Sequence, residues 1–210
     1  RYSGVAGEAS GLGAIPLVAQ GDNIIINGGW LSLAYKYVDP THVYDKKLVA
    51  LRGLQLGSNG ATFSGGVLGI ISGAGALTLI GEGVYLNGTN TYVGSTTIDN
   101  GAGVTISNEF AFGSQSNQVI LNPGTSSING ASLMVDKSAG TFDYKYPTTI
   151  NGKAVFAAVG TNTTLNIRSQ LTVQDAVING VTYQATIEPS GGGTPTNTIN
   201  LYGLISGTGG

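Results

Sequence analysis

The run Leu68-Gly-Ile-Ile-Ser-Gly-Ala-Gly-Ala-Leu-Thr-Leu-Ile-Gly-Glu-Gly-Val-Tyr-Leu-Asn-Gly-Thr-Asn-Thr-Tyr-Val-Gly-Ser-Thr-Thr-Ile98 carries the strongest structural signal in this chain. In and beside it, Val67-Leu-Gly-Ile-Ile71, Ala76-Leu-Thr-Leu-Ile80 and Val84-Tyr-Leu-Asn87 are short apolar bursts, each followed within two residues by Gly. Such bursts, rich in Val, Ile, Thr and Tyr and alternating apolar with polar, mark half-buried β-strands. The theme runs outward in both directions. Before it come Asn23-Ile-Ile-Ile-Asn27, Trp30-Leu-Ser-Leu-Ala-Tyr35 and Leu48-Val-Ala-Leu51; after it come Val104-Thr-Ile-Ser107, Val119-Ile-Leu121, Thr164-Leu-Asn-Ile167 and Leu171-Thr-Val173. No segment shows a helical period with caps at both ends, so no helix is predicted.

Asn-Gly occurs seven times, at Asn27, Asn59, Asn87, Asn100, Asn129, Asn151 and Asn179. Both residues tolerate positive φ, which suits a two-residue antiparallel hairpin. A corner of a parallel β-helix needs a left-handed residue for the same steric reason, so turn chemistry alone leaves both architectures open. Three features favour the parallel solenoid. Strands recur about once every ten residues. Charge is scarce, and uncharged polar side chains can stack on their equivalents ~4.8 Å away without like-charge repulsion. Finally, Ile71-Ser-Gly-Ala-Gly75 returns as Ile205-Ser-Gly-Thr-Gly209, the self-similarity of a repeat array. The expectation is an all-β chain with a β-solenoid over residues 23–204. Residues 1–22 would form an N-terminal edge, cap or linker, and 205–210 would begin a following repeat.

Composition narrows the function classes. Charged residues make up 10% of the 210, and 9 basic against 11 acidic side chains give a net charge of -2. An ordinary globular protein has roughly 25% charged residues. No basic stripe exists to meet phosphate, so nucleic acid is not an expected partner. Cysteine is absent, which removes disulfides and thiolate metal sites. No stretch approaches the ~18 apolar residues of a spanning helix, so this segment is not expected to insert in a membrane. The opening Arg1-Tyr-Ser-Gly-Val has neither an initiator Met nor a signal-peptide core, and is expected to belong to a mature or internal piece of a longer precursor.

The run 68–106 also resembles the passenger-associated transport repeat (autotransporter-associated β-strand repeat) of autotransporter proteins. The shared elements are the Ile-Ser-Gly-x-Gly opening at Ile71 to Gly75, the Gly-x-Gly at Gly81 and Gly83, and Asn90-Thr-Tyr-Val-Gly-Ser-Thr-Thr-Ile98, which supplies Asn90, Tyr92, Gly94, Thr96 and Ile98. Asn108-Glu-Phe-Ala-Phe-Gly113 sits where such passengers often carry Asn-Ala-Leu-Gly. Leu79-Ile80 departs from the usual Lys-Thr pair. The resemblance covers about a fifth of the chain closely. It implies a right-handed parallel β-helix, export through the outer membrane, and a place outside or on the surface of a Gram-negative-type bacterium. On that reading the chain is a structural or adhesive passenger segment, a rigid stalk or binding surface. Its partners would be a glycan or protein on a host or neighbouring cell, or another copy end to end as in an extracellular filament.

Signals for chemistry are weak. The single His42 lies near Asp39 and Asp45, but one histidine without cysteine makes a poor transition-metal site, so a solvated loop is expected there. Asp143, Lys145 and Arg168 are the residues that a polysaccharide-cleaving β-helix could bring together, yet paired carboxylates at a defined separation are not evident. No Gly-x-Ser-x-Gly elbow occurs, and the interior Gly-x-Gly steps lack a third glycine. No catalytic residue, cofactor or metal is therefore assigned, and the chain is not expected to be an enzyme. Two aromatic groups remain: Trp30, Tyr35, Tyr37 and Tyr44, and the alternating Phe142, Tyr144 and Tyr146. Rings on one strand face could stack on sugars or anchor a partner, or form an interior stack.

Overall fold

The computed structural model describes residues 9–10, 13–14, 25–28, 30–32, 53–56, 58–64, 66–67, 70–81, 83–124, 130–137, 139–178, 180–184, 186–190 and 197–207. Its strands are short because the apolar bursts are short. In Leu77–Leu79, Val84–Leu86 and Thr96–Ile98 the outer two residues of each triplet are buried and the middle one half-buried. Successive Cβ atoms point to opposite faces of a strand, so a three-residue burst places two side chains inside and one outside. Gly or Asn then turns the chain.

Described residues form strands, bends and turns with no helix, and pairing between strands is mostly parallel. One sheet has eight strands: Ile205–Gly207, Leu171–Gln174, Thr148–Asn151, Val119–Leu121, Thr96–Ile98, Leu77–Leu79, Ala61–Ser64 and Trp30–Ser32. A second has six: Thr186–Ser190, Lys153–Ala158, Ala131–Val135, Gly103–Ile106, Val84–Leu86 and Gly66–Val67. Two three-stranded sheets are also parallel: Ile25–Ile26, Gly53–Leu56 and Ile70–Gly73, and Gly140–Tyr144, Thr163–Ile167 and Thr198–Leu201. From Ile70 on, the chain visits a three-stranded sheet, the eight-stranded sheet and the six-stranded sheet in the same cyclic order. Residues 90–93 and 110–114 occupy the first position of two circuits without regular strands. There Thr91 and Tyr92 donate to the Ile71 carbonyl, and Ser114 donates to the Tyr92 carbonyl.

Parallel register lines up like with like. Leu79, Ile98, Leu121 and Ile150 follow one another, as do Val84, Val104, Leu133 and Phe156. All eight are fully buried, each burial contributing about 1.5–3 kcal/mol. Inside also lie the aromatic rings of Tyr92, Phe112, Phe142, Tyr144, Tyr146 and Phe156.

The Asn-Gly steps divide between the two roles the sequence left open. Asn100 and Gly101 both have positive φ, 54° and 68°, yet they join Thr96–Ile98 to Gly103–Ile106, strands of different sheets. They form a corner, not a hairpin. Gly60 and Gly152 are likewise left-handed between strands of different sheets. The hairpin role is taken at Gly180, between Ala176–Ile178 and Val181–Tyr183, which pair antiparallel. Near the start, Ala9–Ser10 pairs antiparallel with Gly13–Ala14.

Candidate functional site

The residues singled out in the run 71–98 take two kinds of role, packing along the stack and turning the chain. Ile71 and Ile98 are fully buried. Gly81 and Gly83 take φ of 83° and 74° at the corner before Val84–Leu86. Gly94 lies against the backbone of Gly75 and Ala76, so close that a Cβ would overlap it. The Asn90 side chain accepts from the Ile71 N–H at 2.7 Å and donates to the Ala111 carbonyl at 2.6 Å. It thereby stitches three successive circuits. The Tyr92 hydroxyl pairs with the Thr96 hydroxyl, and Tyr144 repeats this with Thr148 at 2.8 Å. In the segment aligned with Asn-Ala-Leu-Gly, the Asn108 side chain accepts from Phe110 N–H at 2.8 Å, and Gly113 is left-handed.

The second aromatic group needs a correction. Phe142, Tyr144 and Tyr146 do share one face, but it is the interior one, and all three are buried. Phe112 meets Tyr146 edge-on at 5.4 Å and Phe156 meets Tyr144 edge-on at 6.0 Å. These rings have no surface to offer a sugar or a partner; Asp143 and Lys145, which alternate with them, are the less buried residues. Of the first group, Trp30 is placed only as backbone in the strand Trp30–Ser32. Tyr35, Tyr37, Tyr44 and His42 lie outside the described residues.

Burial pushes the phenols of Tyr92, Tyr144 and Tyr146 well above the usual tyrosine range. The fold holds them neutral, whereas an unfolded tyrosine ionises near about pH 10. Their contribution is therefore fully present below that pH and is lost as pH rises through and beyond it. In a spectrophotometric titration, these three phenols are expected to ionise only with loss of the β-sheet circular dichroism signal. Their ionisation while that signal stays native would refute the assignment.

Asp143 and Arg168 do come together: the guanidinium Nε lies 2.9 Å from the carboxylate, and the guanidinium carbon sits 4.8 Å over the Tyr202 ring. The Asn166 amide, followed by Arg168, holds the Asp143 carboxyl below its usual range. A column runs on from it, Asn166 donating to Asp143 and Asn200 to Asn166, each at 2.9 Å. Among the described residues, no three of His, Cys, Asp and Glu are grouped so as to hold a metal.

A longer polar surface was not singled out from sequence. Down the outside of the eight-stranded sheet, register aligns Thr62, Thr78, Thr97, Ile120, Thr149, Thr172 and Ser206. Beside this column, Asn122 donates to Asp99 at 2.9 Å, Asn151 to Asn122 at 2.7 Å, and Gln174 to Asn151 at 2.5 Å. The ladder borders an open groove of ≈ 420 Å³, whose lining also includes Pro123, Asp175 and Ala176. A signal was present: Thr-Thr-Ile-Asp99, Val-Ile-Leu-Asn122, Thr-Thr-Ile-Asn151 and Leu-Thr-Val-Gln174 share one pattern.

No family model matches the chain, and neither a curated protein nor a solved structure matches it.

Proposed function

We propose that this chain is a right-handed parallel β-solenoid, a surface-displayed segment of an autotransporter-like passenger that acts as a rigid extracellular stalk or binding surface. The observation that carries the reading is the agreement between motif and packing. Asn90, Tyr92, Gly94 and Thr96 each serve contacts along the stack or at its corner. The cyclic visiting order of the sheets supports a solenoid, and parallel strand crossovers are overwhelmingly right-handed. Stability in such arrays is close to a sum of nearest-neighbour terms, so a chain emerging unfolded outside the cell could fold circuit by circuit without an external energy source. Catalysis has no part in this proposal.

A second reading, a repeat unit of an extracellular fibre, is supported by the same parallel stacking of strands. Negative-stain electron microscopy of native protein is the test. Short rods, single or cell-attached, are expected for a passenger, and long continuous filaments for the fibre. Globular particles without an elongated axis would sink both.

A further inference from the structure

We propose that the groove along Asp99, Asn122, Asn151 and Gln174 is a binding site for an uncharged, extended oligosaccharide. This deepens the proposed role as a surface binding scaffold and rests on it.

The first argument is hydrogen-bonding capacity. A carboxamide has two N–H donors and two oxygen lone pairs. Asn122 and Asn151 each give one N–H and one lone pair to ladder neighbours. One donor and one acceptor per residue remain for a ligand, repeating at the inter-strand spacing. Sugar hydroxyls both donate and accept, which fits such a mixed row.

Shape comes next. The ladder covers four successive strands, hence three spacings of ~4.8 Å, or about 14 Å. That length suits a short run of sugar rings laid along the stack. The antiparallel hairpin that begins at Ala176 leaves the parallel array where the groove is lined by Asp175 and Ala176.

Charge selects the ligand class. The eight strands of this sheet contain no Asp, Glu, Lys or Arg, and no Lys or Arg lines the groove. The Asp99 carboxylate does. It would repel a uronate or sulfate. A neutral glycan is therefore favoured over an acidic one, and the adjoining threonine column offers further hydroxyls without charge.

The test is titration calorimetry with neutral β-linked glucose, mannose and N-acetylglucosamine oligosaccharides, with oligogalacturonate as the acidic comparison. Carboxamide NH₂ resonances of Asn122 and Asn151 are followed by NMR. Saturable binding of at least one neutral oligosaccharide is expected, with those resonances shifting, and about tenfold weaker binding in Asn122→Ala. Gln174→Ala, at the exposed end of the ladder, gives a second readout should Asn122→Ala fail to fold. No neutral ligand binding, equal binding of oligogalacturonate, or binding indifferent to the variants would each overturn the site. So would self-association through this face, seen as dimers by sedimentation. Rods that persist by microscopy without ligand binding would remove the groove alone, whereas loss of the rods would remove the scaffold reading too.

Discussion

Replacing Gly94 by alanine is expected to destabilise the fold by about 3 kcal/mol or more. The added methyl would lie 2.6 Å from the Ala76 nitrogen and overlap the Gly75 carbonyl. Both are backbone atoms of the preceding circuit, so no side-chain rotation relieves the clash. Two companions separate causes. Gly103 would place its Cβ 3.7 Å from the flexible end of Met134, an ordinary contact, so Gly103→Ala is expected to change stability by no more than about 0.5 kcal/mol. Gly83 has open space around it but φ of 74°, and Gly83→Ala should cost about 1–2 kcal/mol through backbone conformation alone. Chemical denaturation of the three variants checks this order. A Gly94→Ala protein as stable as Gly103→Ala would mean that the two circuits do not approach as described.

The second large effect is expected at Asn90. Its side chain is 4% exposed and satisfies a backbone N–H on one neighbouring circuit and a backbone carbonyl on the other. Asn90→Ala leaves both groups without that partner, at about 1–3 kcal/mol each. A loss of about 3–5 kcal/mol follows, appearing as a lower denaturation midpoint. Asn90→Asp is more diagnostic. An ionised carboxylate can accept from Ile71 but cannot donate to Ala111, and burial raises its pKa. Protonation restores a donor, so this variant should gain stability relative to the parent as pH falls towards about 4. If Asn90→Asp instead loses stability on acidification as the parent does, the side chain does not bridge the circuits.

Much of the architecture was legible in short sequence windows. Leu77-Thr-Leu79 and Val84-Tyr-Leu86 read as strands and are strands, because alternation over three residues is a local property. Asn100-Gly101 read as a left-handed turn and is one. Whether such a turn reverses the chain within one sheet or carries it to the next was not legible there, since both outcomes use the same φ values. The tyrosines show the same limit. Alternation correctly grouped Phe142, Tyr144 and Tyr146 on one face, but a period of two does not say which face is inside. That depends on whether Phe112 and Phe156, far away in the chain, arrive to cover it.

The candidate groove lies furthest from local reading. Its carboxamides meet across sequence separations of 23, 29 and 23 residues, and the middle step is longer because the chain between Asn122 and Asn151 carries additional residues. Sequence by itself determined the strands, the corner residues, the shortage of charge and the candidate motif, because each follows from side-chain chemistry within a few positions. Only the tertiary structure decided which polar side chains share a column. Parallel register across turns of unequal length is set by the packing of the buried apolar residues, and the outer ladders take whatever alignment that packing imposes.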